Sequence, residues 1–348
     1  MCTPISIHRN LLKVAELVKM ECVRKEEPKY KLVKLIGKGT FGKVYYAIDL
    51  CTQEPVAIKR SPKWRNKVSR EVDLLQKMRH SENIVNLKSI FYTTTEKGFR
   101  IQNIVFKYMT YSLGKYIRFK KQERKENNQI CKGIKHLHEH NLAHRDLKPD
   151  NILIDTGSSP FKVEICDLGS AKKVEESIIS IPYICSRWYR APELLCGSMY
   201  YTTDVDLWSL GCIIFELINL CPLFPGKFKK DDISEECSQI INLIEVLGSP
   251  RMYTVAEETD IWSSRRIDLF EVKSFYESIK GQTSNRNNRL IKELCGLNIR
   301  PLSWSSILGD ILEESERELI GIVDGLLKWN PNERLKIDAV LSNPYFAT

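Results

Sequence analysis

The sequence has no Cys-x-x-Cys pair among its 11 cysteines. Their odd number and wide scatter leave neither a zinc-ligand spacing nor a disulfide framework. A reducing intracellular setting, cytoplasmic or nuclear, fits such a chain better than an oxidising one. Long apolar runs are missing too. The longest stretch, GCIIFELINL, is short and carries Glu216, whereas a bilayer span needs about 20 apolar residues. No secretory leader is visible, nor any internal repeat or low-complexity tract. Acidic side chains are in deficit, 44 against 53 basic ones, for a formal net charge of +9. Such a surplus draws anionic partners, whether nucleotide, phosphorylated protein, nucleic acid or membrane surface, without choosing among them.

What is present is ordinary in bulk. The 348 residues are 43% hydrophobic and 28% charged, enough for one large domain or two lobes with ample core. Residues 1–29 read as an N-terminal extension in which NLLKVAELVKM places Leu11, Ala15 and Val18 at helical spacing. From Tyr30 the pattern turns to short β-branched runs, YKLVKLIG, KVYYAID and PVAIKR. NKVSREVDLLQKM then repeats apolar residues at a helix period, and IQNIVFKYM returns to strand. Thereafter NNQICKGIKHLHEH, DVDLWSLGCIIFELIN, SQIINLIEVLG and ERELIGIVDGLLKW read as helices. The fold class is α+β, a small β-rich lobe over 30–109 with one main helix, and a larger α-helical lobe over 110–346.

The chemistry-bearing residues come in a fixed order. GKGTFGKV sets Gly37, Gly39 and Gly42 between two strands, where a dinucleotide fold would need a helix next, so the loop reads as a flap over phosphates. Lys59 ends the strand VAIK and can reach α- and β-phosphates, with Glu71 on the following helix to fix its ammonium. In HRDLKPDN, Asp146 can accept the proton of an attacking hydroxyl, Lys148 can neutralise a transferred phosphoryl group, and Asn151 can hold Mg²⁺. Asp167 of DLG supplies a second oxygen to that hard cation.

With these residues in order, the chain resembles the eukaryotic protein kinases over Tyr30–Phe346. The resemblance implies a bilobal fold, with a small antiparallel β-rich N-lobe and a helical C-lobe, and ATP with Mg²⁺ bound between the lobes. It implies that Gly37, Lys38, Gly39, Thr40, Phe41, Gly42 and Lys43 form the phosphate flap, and that Ile36, Val44, Ala57, Leu153 and Cys166 line the adenine slot. Tyr108 and Met109 would then offer backbone hydrogen bonds to the base, and Phe106 would narrow the back of the slot. Lys148 within DLKPDN looks like the serine/threonine class. Glu193 of APE is expected to pair with Arg334, and Asp206 to hold the catalytic-loop backbone.

DLGSAK followed by YICSRWYRAPE is similar to the glycogen synthase kinase-3 (shaggy) family of the CMGC group. That resemblance implies an anion pocket of Arg70, Arg145 and Lys172 for a phosphate already on the substrate, C-terminal to the new site. It also marks Tyr183 as an activation-loop phosphotyrosine with Arg187 and Arg190 placed to clasp it. Implied partners are pre-phosphorylated protein substrates and scaffold proteins on the large lobe, with no nucleic acid, for a monomer. Two other readings remain: a proline-directed kinase of the mitogen-activated or cyclin-dependent type, and a pseudokinase scaffold. The sequence departs from the pattern in three places. Leu168 stands where the metal turn has phenylalanine, and KYIRFKKQERKENN is shortened and basic. An insert at about 251–302 is unlike the family's, and HLHEH reads as a helix end rather than a metal site.

Overall fold

The computed structural model describes residues 29–39, 42–63, 69–119, 127–157, 159–174, 179–196, 198–226, 235–249, 299–308 and 314–346. The expected N-terminal helix, flap residues Thr40 and Phe41, and nearly all of the insert lie outside these. The described residues pack into two compact units. One comprises the described parts of Met1–Arg65 with Lys88–Tyr108; the other holds Asn66–Leu87 and everything from Met109 onward.

The first unit is a five-stranded sheet of β1 (Tyr30–Gly39), β2 (Gly42–Asp49), β3 (Pro55–Pro62), β4 (Leu87–Thr94) and β5 (Arg100–Lys107), ordered β1-β2-β3-β5-β4. Period-2 alternation puts Ala47, Val56, Ile58 and Val105 into its core, closed by Tyr30 stacked on Phe91 at 5.5 Å. The β1–β2 hairpin ends with Gly39 opposite Gly42. Gly42 has φ +153, and a Cβ there would lie 2.3 Å from the carbonyl oxygen of Arg60, so no other residue fits that turn.

The second unit is helical. Its first helix, α1 (Arg70–Lys77), is started by Ser69, whose hydroxyl accepts from the Val72 amide. Glu71 and Asp73 in its first turn and Lys77 in its last suit the helix dipole. It buries Val72, Leu74 and Leu75, and it packs against the turn Leu168–Ser170. After β6 (Tyr111–Ser112) come α2 (Leu113–Phe119) and α3 (Asn127–Glu139), then β7 (Leu142–Ala143), β8 (Ile152–Asp155), β9 (Lys162–Ile165) and β10 (Lys172–Lys173). β6, β8 and β9 form one small sheet, and β7 pairs with β10 in another.

The short helix α4 (Pro192–Leu195) precedes the central pillar α5 (Asp204–Asn219). The pillar is buried all round from Asp204 to Glu216, as its nearly uninterrupted apolar sequence requires. α6 (Glu235–Leu247), α7 (Trp304–Leu308), α8 (Glu314–Leu326) and α9 (Ile337–Leu341) complete the unit. α8 crosses α5 at Gly211, where a Cβ would come within 2.9 Å of Leu327. Among the described residues no helix is long and apolar enough to cross a membrane. The expected α+β class is borne out, with an antiparallel sheet in one unit and helices dominating the other. Strand β4 was not expected from the sequence.

Candidate active site

The segment after β7 is built around one carboxylate. Asp206, in the first turn of α5 and fully buried, accepts from the backbone amides of His144 at 2.7 Å and Arg145 at 3.0 Å. The expectation that Asp206 holds the catalytic-loop backbone is thus met. His138 of α3 adds a contact at 3.1 Å that the sequence reading did not find. Of the histidines in HLHEH, His138 turns inward to Asp206, while the His136 and His140 rings lie 4.9 Å apart.

Burial pushes the Asp206 carboxyl up, but the hydrogen bond and charge of His138, with His144 and the Arg145 amide, outweigh it and hold it below the usual 3.8. A depressed folded pKa stabilises above the unfolded value and ceases to do so as pH falls through the folded one. Wild type is therefore expected to lose stability on acidification below pH 3.8 more steeply than Asp206→Asn. Urea midpoints measured across that range check it; parallel curves would remove Asp206 from the acid response.

With its backbone fixed, the loop presents Asp146. Its Oδ1 accepts from the Ser186 amide at 3.0 Å and hydroxyl at 2.8 Å; its Oδ2 accepts from Lys148 Nζ at 2.9 Å and Asn151 Nδ2 at 3.0 Å. Lys148 also donates to the Ser186 hydroxyl at 2.8 Å. The structure therefore brings together Asp146, Lys148 and Asn151 as expected and adds Ser186. The signal for Ser186 was a lone aliphatic hydroxyl in YICSRWYRAPE.

Asn151 spends its Nδ2 on Asp146, on the Oδ2 and on the backbone carbonyl at 2.8 Å, which leaves its amide oxygen as the group for a hard cation. Asp167 sits in the left-handed region at φ 64, ψ 64, and opens the turn Leu168–Ser170. Two oxygen donors of this kind fit Mg²⁺. Leu168 is fully buried in the turn against which α1 packs, so leucine fills the place expected of phenylalanine.

The remaining expected residues divide between the units. In the sheet unit, Ile36 lies at the register shift of β1, and Gly37, Lys38 and Gly39 pair with Val44, Lys43 and Gly42. Val44 lies opposite Lys59, which is itself nearly buried, and Ala57 lies opposite Phe106. The Tyr108 amide donates to the Pro55 carbonyl at 3.4 Å. It continues the β3–β5 ladder by one step. In the helical unit are Glu71 on α1, buried Met109, Leu153 on β8, and Cys166, whose amide donates to Asn151 O and whose carbonyl contacts His144.

Of the expected anion pocket, Arg70 is exposed at the start of α1. β10 pairs Lys172 with Ala143, two residues before Arg145. Arg145, at φ 67, donates to Ser170 O at 2.7 Å and to the Tyr201 hydroxyl at 2.9 Å. Tyr183 is 69% exposed with the Arg190 guanidinium 4.7 Å over its ring, while Arg187 pairs with Glu235. Glu193 and Arg334 form the expected pair at 2.6 and 2.7 Å, both buried.

Comparison with known proteins agrees with this geometry. Residues 30–346 match the family described as Protein kinase domain. The chain is 42% identical over 227 residues to the probable serine/threonine-protein kinase glkA of Dictyostelium discoideum, covering 64% of this chain and 45% of that protein. It is 30% identical over 334 residues to mitogen-activated protein kinase 10 of Arabidopsis thaliana, covering 92% of this chain and 74% of that one. The match thus takes in less than half of the glkA protein.

Proposed function

The chain belongs to the protein kinase domain family, and on that premise we propose that it is an ATP-dependent serine/threonine protein kinase. The observation that carries this reading is the Asp146–Lys148–Asn151–Ser186 cluster. Asp146 receives the proton of a substrate hydroxyl as that oxygen attacks the γ-phosphorus. Lys148, held between Asp146 and Ser186, faces the charge that gathers on the transferred group. We assign Lys59 and Glu71 to positioning the nucleotide, and Gly37, Gly39 and Gly42 to its phosphates. Asn151 and Asp167 would hold Mg²⁺, which would supply neutralisation of phosphate charge. Asp206 and His138 act on the loop's backbone rather than on substrate.

Substrate choice follows from the cations. Arg70, Arg145 and Lys172 suit a phosphate already on the substrate C-terminal to the target residue, as in glycogen synthase kinase-3. We further assign Tyr183 as an activating phosphotyrosine beside Arg187 and Arg190, and the large lobe as a surface for scaffold proteins. The similarity to mitogen-activated protein kinase 10 keeps proline-directed selection as the second reading.

One kinetic experiment tests the scheme: initial rates on primed and unprimed copies of one peptide, for wild type, Arg70→Ala and Tyr183→Phe. Arg70→Ala is expected to lower kcat/KM about 10-fold or more on the primed peptide alone, the loss of a charge-assisted contact. Equal slowing of both peptides would sink the pocket, and preference for a following proline would favour the second reading. Tyr183→Phe is expected to lower kcat on both.

A further inference from the structure

The two pocket cations carried by the catalytic and metal loops are tied to the chain's own activation segment. Lys172 Nζ donates to the Ser180 hydroxyl at 2.8 Å and to the Ile179 carbonyl at 3.4 Å. Arg145 donates to the Tyr201 hydroxyl, which in turn donates to the Ile181 carbonyl at 3.2 Å. The same three residues are fastened on the other side, where the Ser180 amide donates to the Met199 carbonyl at 2.8 Å. Residues 179–181 thus form a strap whose oxygens meet the ammonium and, through Tyr201, the guanidinium.

The side chains show which way the strap faces. Ser180 is 3% exposed, whereas Ile179 and Ile181 are 59% and 72% exposed. A segment that holds two isoleucines in water and one serine inside is set by its polar contacts, not by burial of apolar surface.

We propose that Ser180 is an internal ligand of the anion pocket and so a specificity-determining residue: its hydroxyl holds Lys172 to the strap, and a substrate phosphate competes with it for the ammonium. This rests on the primed-substrate reading for its use, but not for its chemistry. A neutral hydroxyl is the weaker partner for an ammonium, since a charge-assisted contact to phosphate is roughly twice as strong. The exchange therefore runs toward phosphate at reduced apparent affinity. Unphosphorylated peptides, with nothing to displace the hydroxyl, leave the strap in place. Ser180 thereby sets how much affinity a priming phosphate must bring.

The test uses the full chain as wild type, Ser180→Ala, Ser180→Thr, Ser180→Val and Ser180→Ala/Lys172→Ala. The decisive probe is inorganic phosphate, titrated while the melting temperature is followed. Ser180→Ala is expected to reach half-maximal stabilisation at about 10-fold lower phosphate than wild type, the scale of one hydrogen bond to a charged group. The double variant is expected to show no such gain. Ser180→Thr keeps the hydroxyl and should match wild type. Its near-isostere Ser180→Val lacks it and should match Ser180→Ala, which covers the case that alanine loosens the strap. An unchanged phosphate response in both hydroxyl-free variants would overturn the inference.

Peptide kinetics then decide what the pocket serves. The ratio of kcat/KM on primed and unprimed peptides is expected to rise about 10-fold in Ser180→Ala. A tightened phosphate response with a ratio of one in every variant would leave Ser180 as the internal ligand and remove primed substrates from the function.

Discussion

Asp146→Asn is expected to lower kcat for peptide phosphorylation by about 10²- to 10⁴-fold, with the melting temperature and the KM for ATP close to wild type. The substitution keeps size and shape, and an amide oxygen can still accept from the Ser186 amide and hydroxyl as Oδ1 does now. On the other side it places an NH₂ group against Lys148 Nζ and Asn151 Nδ2, both of which are donors. The site thus loses its proton acceptor, and Lys148 loses the carboxylate that aims it. Steady-state kinetics on a peptide, with a melt as control for folding, give the answer. A loss below about threefold would take Asp146 out of the proton-accepting role.

The second large effect is on stability. Arg334→Leu is expected to destabilise the helical unit by about 3–5 kcal/mol, because it strands the Glu193 carboxylate in the interior. Arg334 donates to both Glu193 oxygens and to the backbone carbonyls of Lys328, Asp204 and Trp329, and it lies 5.2 Å over the Trp208 ring. Its side chain is 0% exposed and that of Glu193 2%. Each charge is tolerable only with its partner present. The double substitution Glu193→Leu/Arg334→Leu removes both charges and is expected to lose less than Arg334→Leu alone. Arg334→Lys cannot reproduce the fork and should fall between wild type and Arg334→Leu. Thermal unfolding ranks the four proteins; a double variant less stable than Arg334→Leu would contradict this account.

Asp146 could be named from the sequence because its motif is local, and Arg334 because the resemblance to the protein kinases pairs PNERL with APE, 141 positions away. HRDLKPDN carries its acid, base and amide within eight residues, so one turn of chain brings them together. DVDLWSLGCIIFELIN carries acidic residues in its first turn and a dense apolar run after it, and the helix expected there has the same ends in the structure. Long-range partnerships were harder to see. Ser186 reaches Asp146 across 40 positions, and His138 reaches Asp206 across 68, and nothing in a hydroxyl or an imidazole announces such a partner. Strand β4, LKSIFYTT, alternates imperfectly and carries polar residues on both sides, which weakened its period-2 signal. The Tyr108 amide is another long-range case. Whether a strand's last N–H belongs to the sheet or to a ligand depends on where the neighbouring strand stops, which is a matter of register.

Two non-glycine residues of the helical unit's site, Arg145 and Asp167, hold left-handed backbone at φ 67 and 64. For L-residues that conformation costs roughly 1–2 kcal/mol each, and glycine or asparagine would relieve part of it. Selection for chemistry and selection for durability therefore pull these codons in opposite directions. A duplicated copy of this gene released from phosphoryl transfer would find substitutions at these positions that make it sturdier as they make it inert. The route from enzyme to inert scaffold runs downhill in this fold, and sequences that had taken it would show glycine or asparagine at these two places.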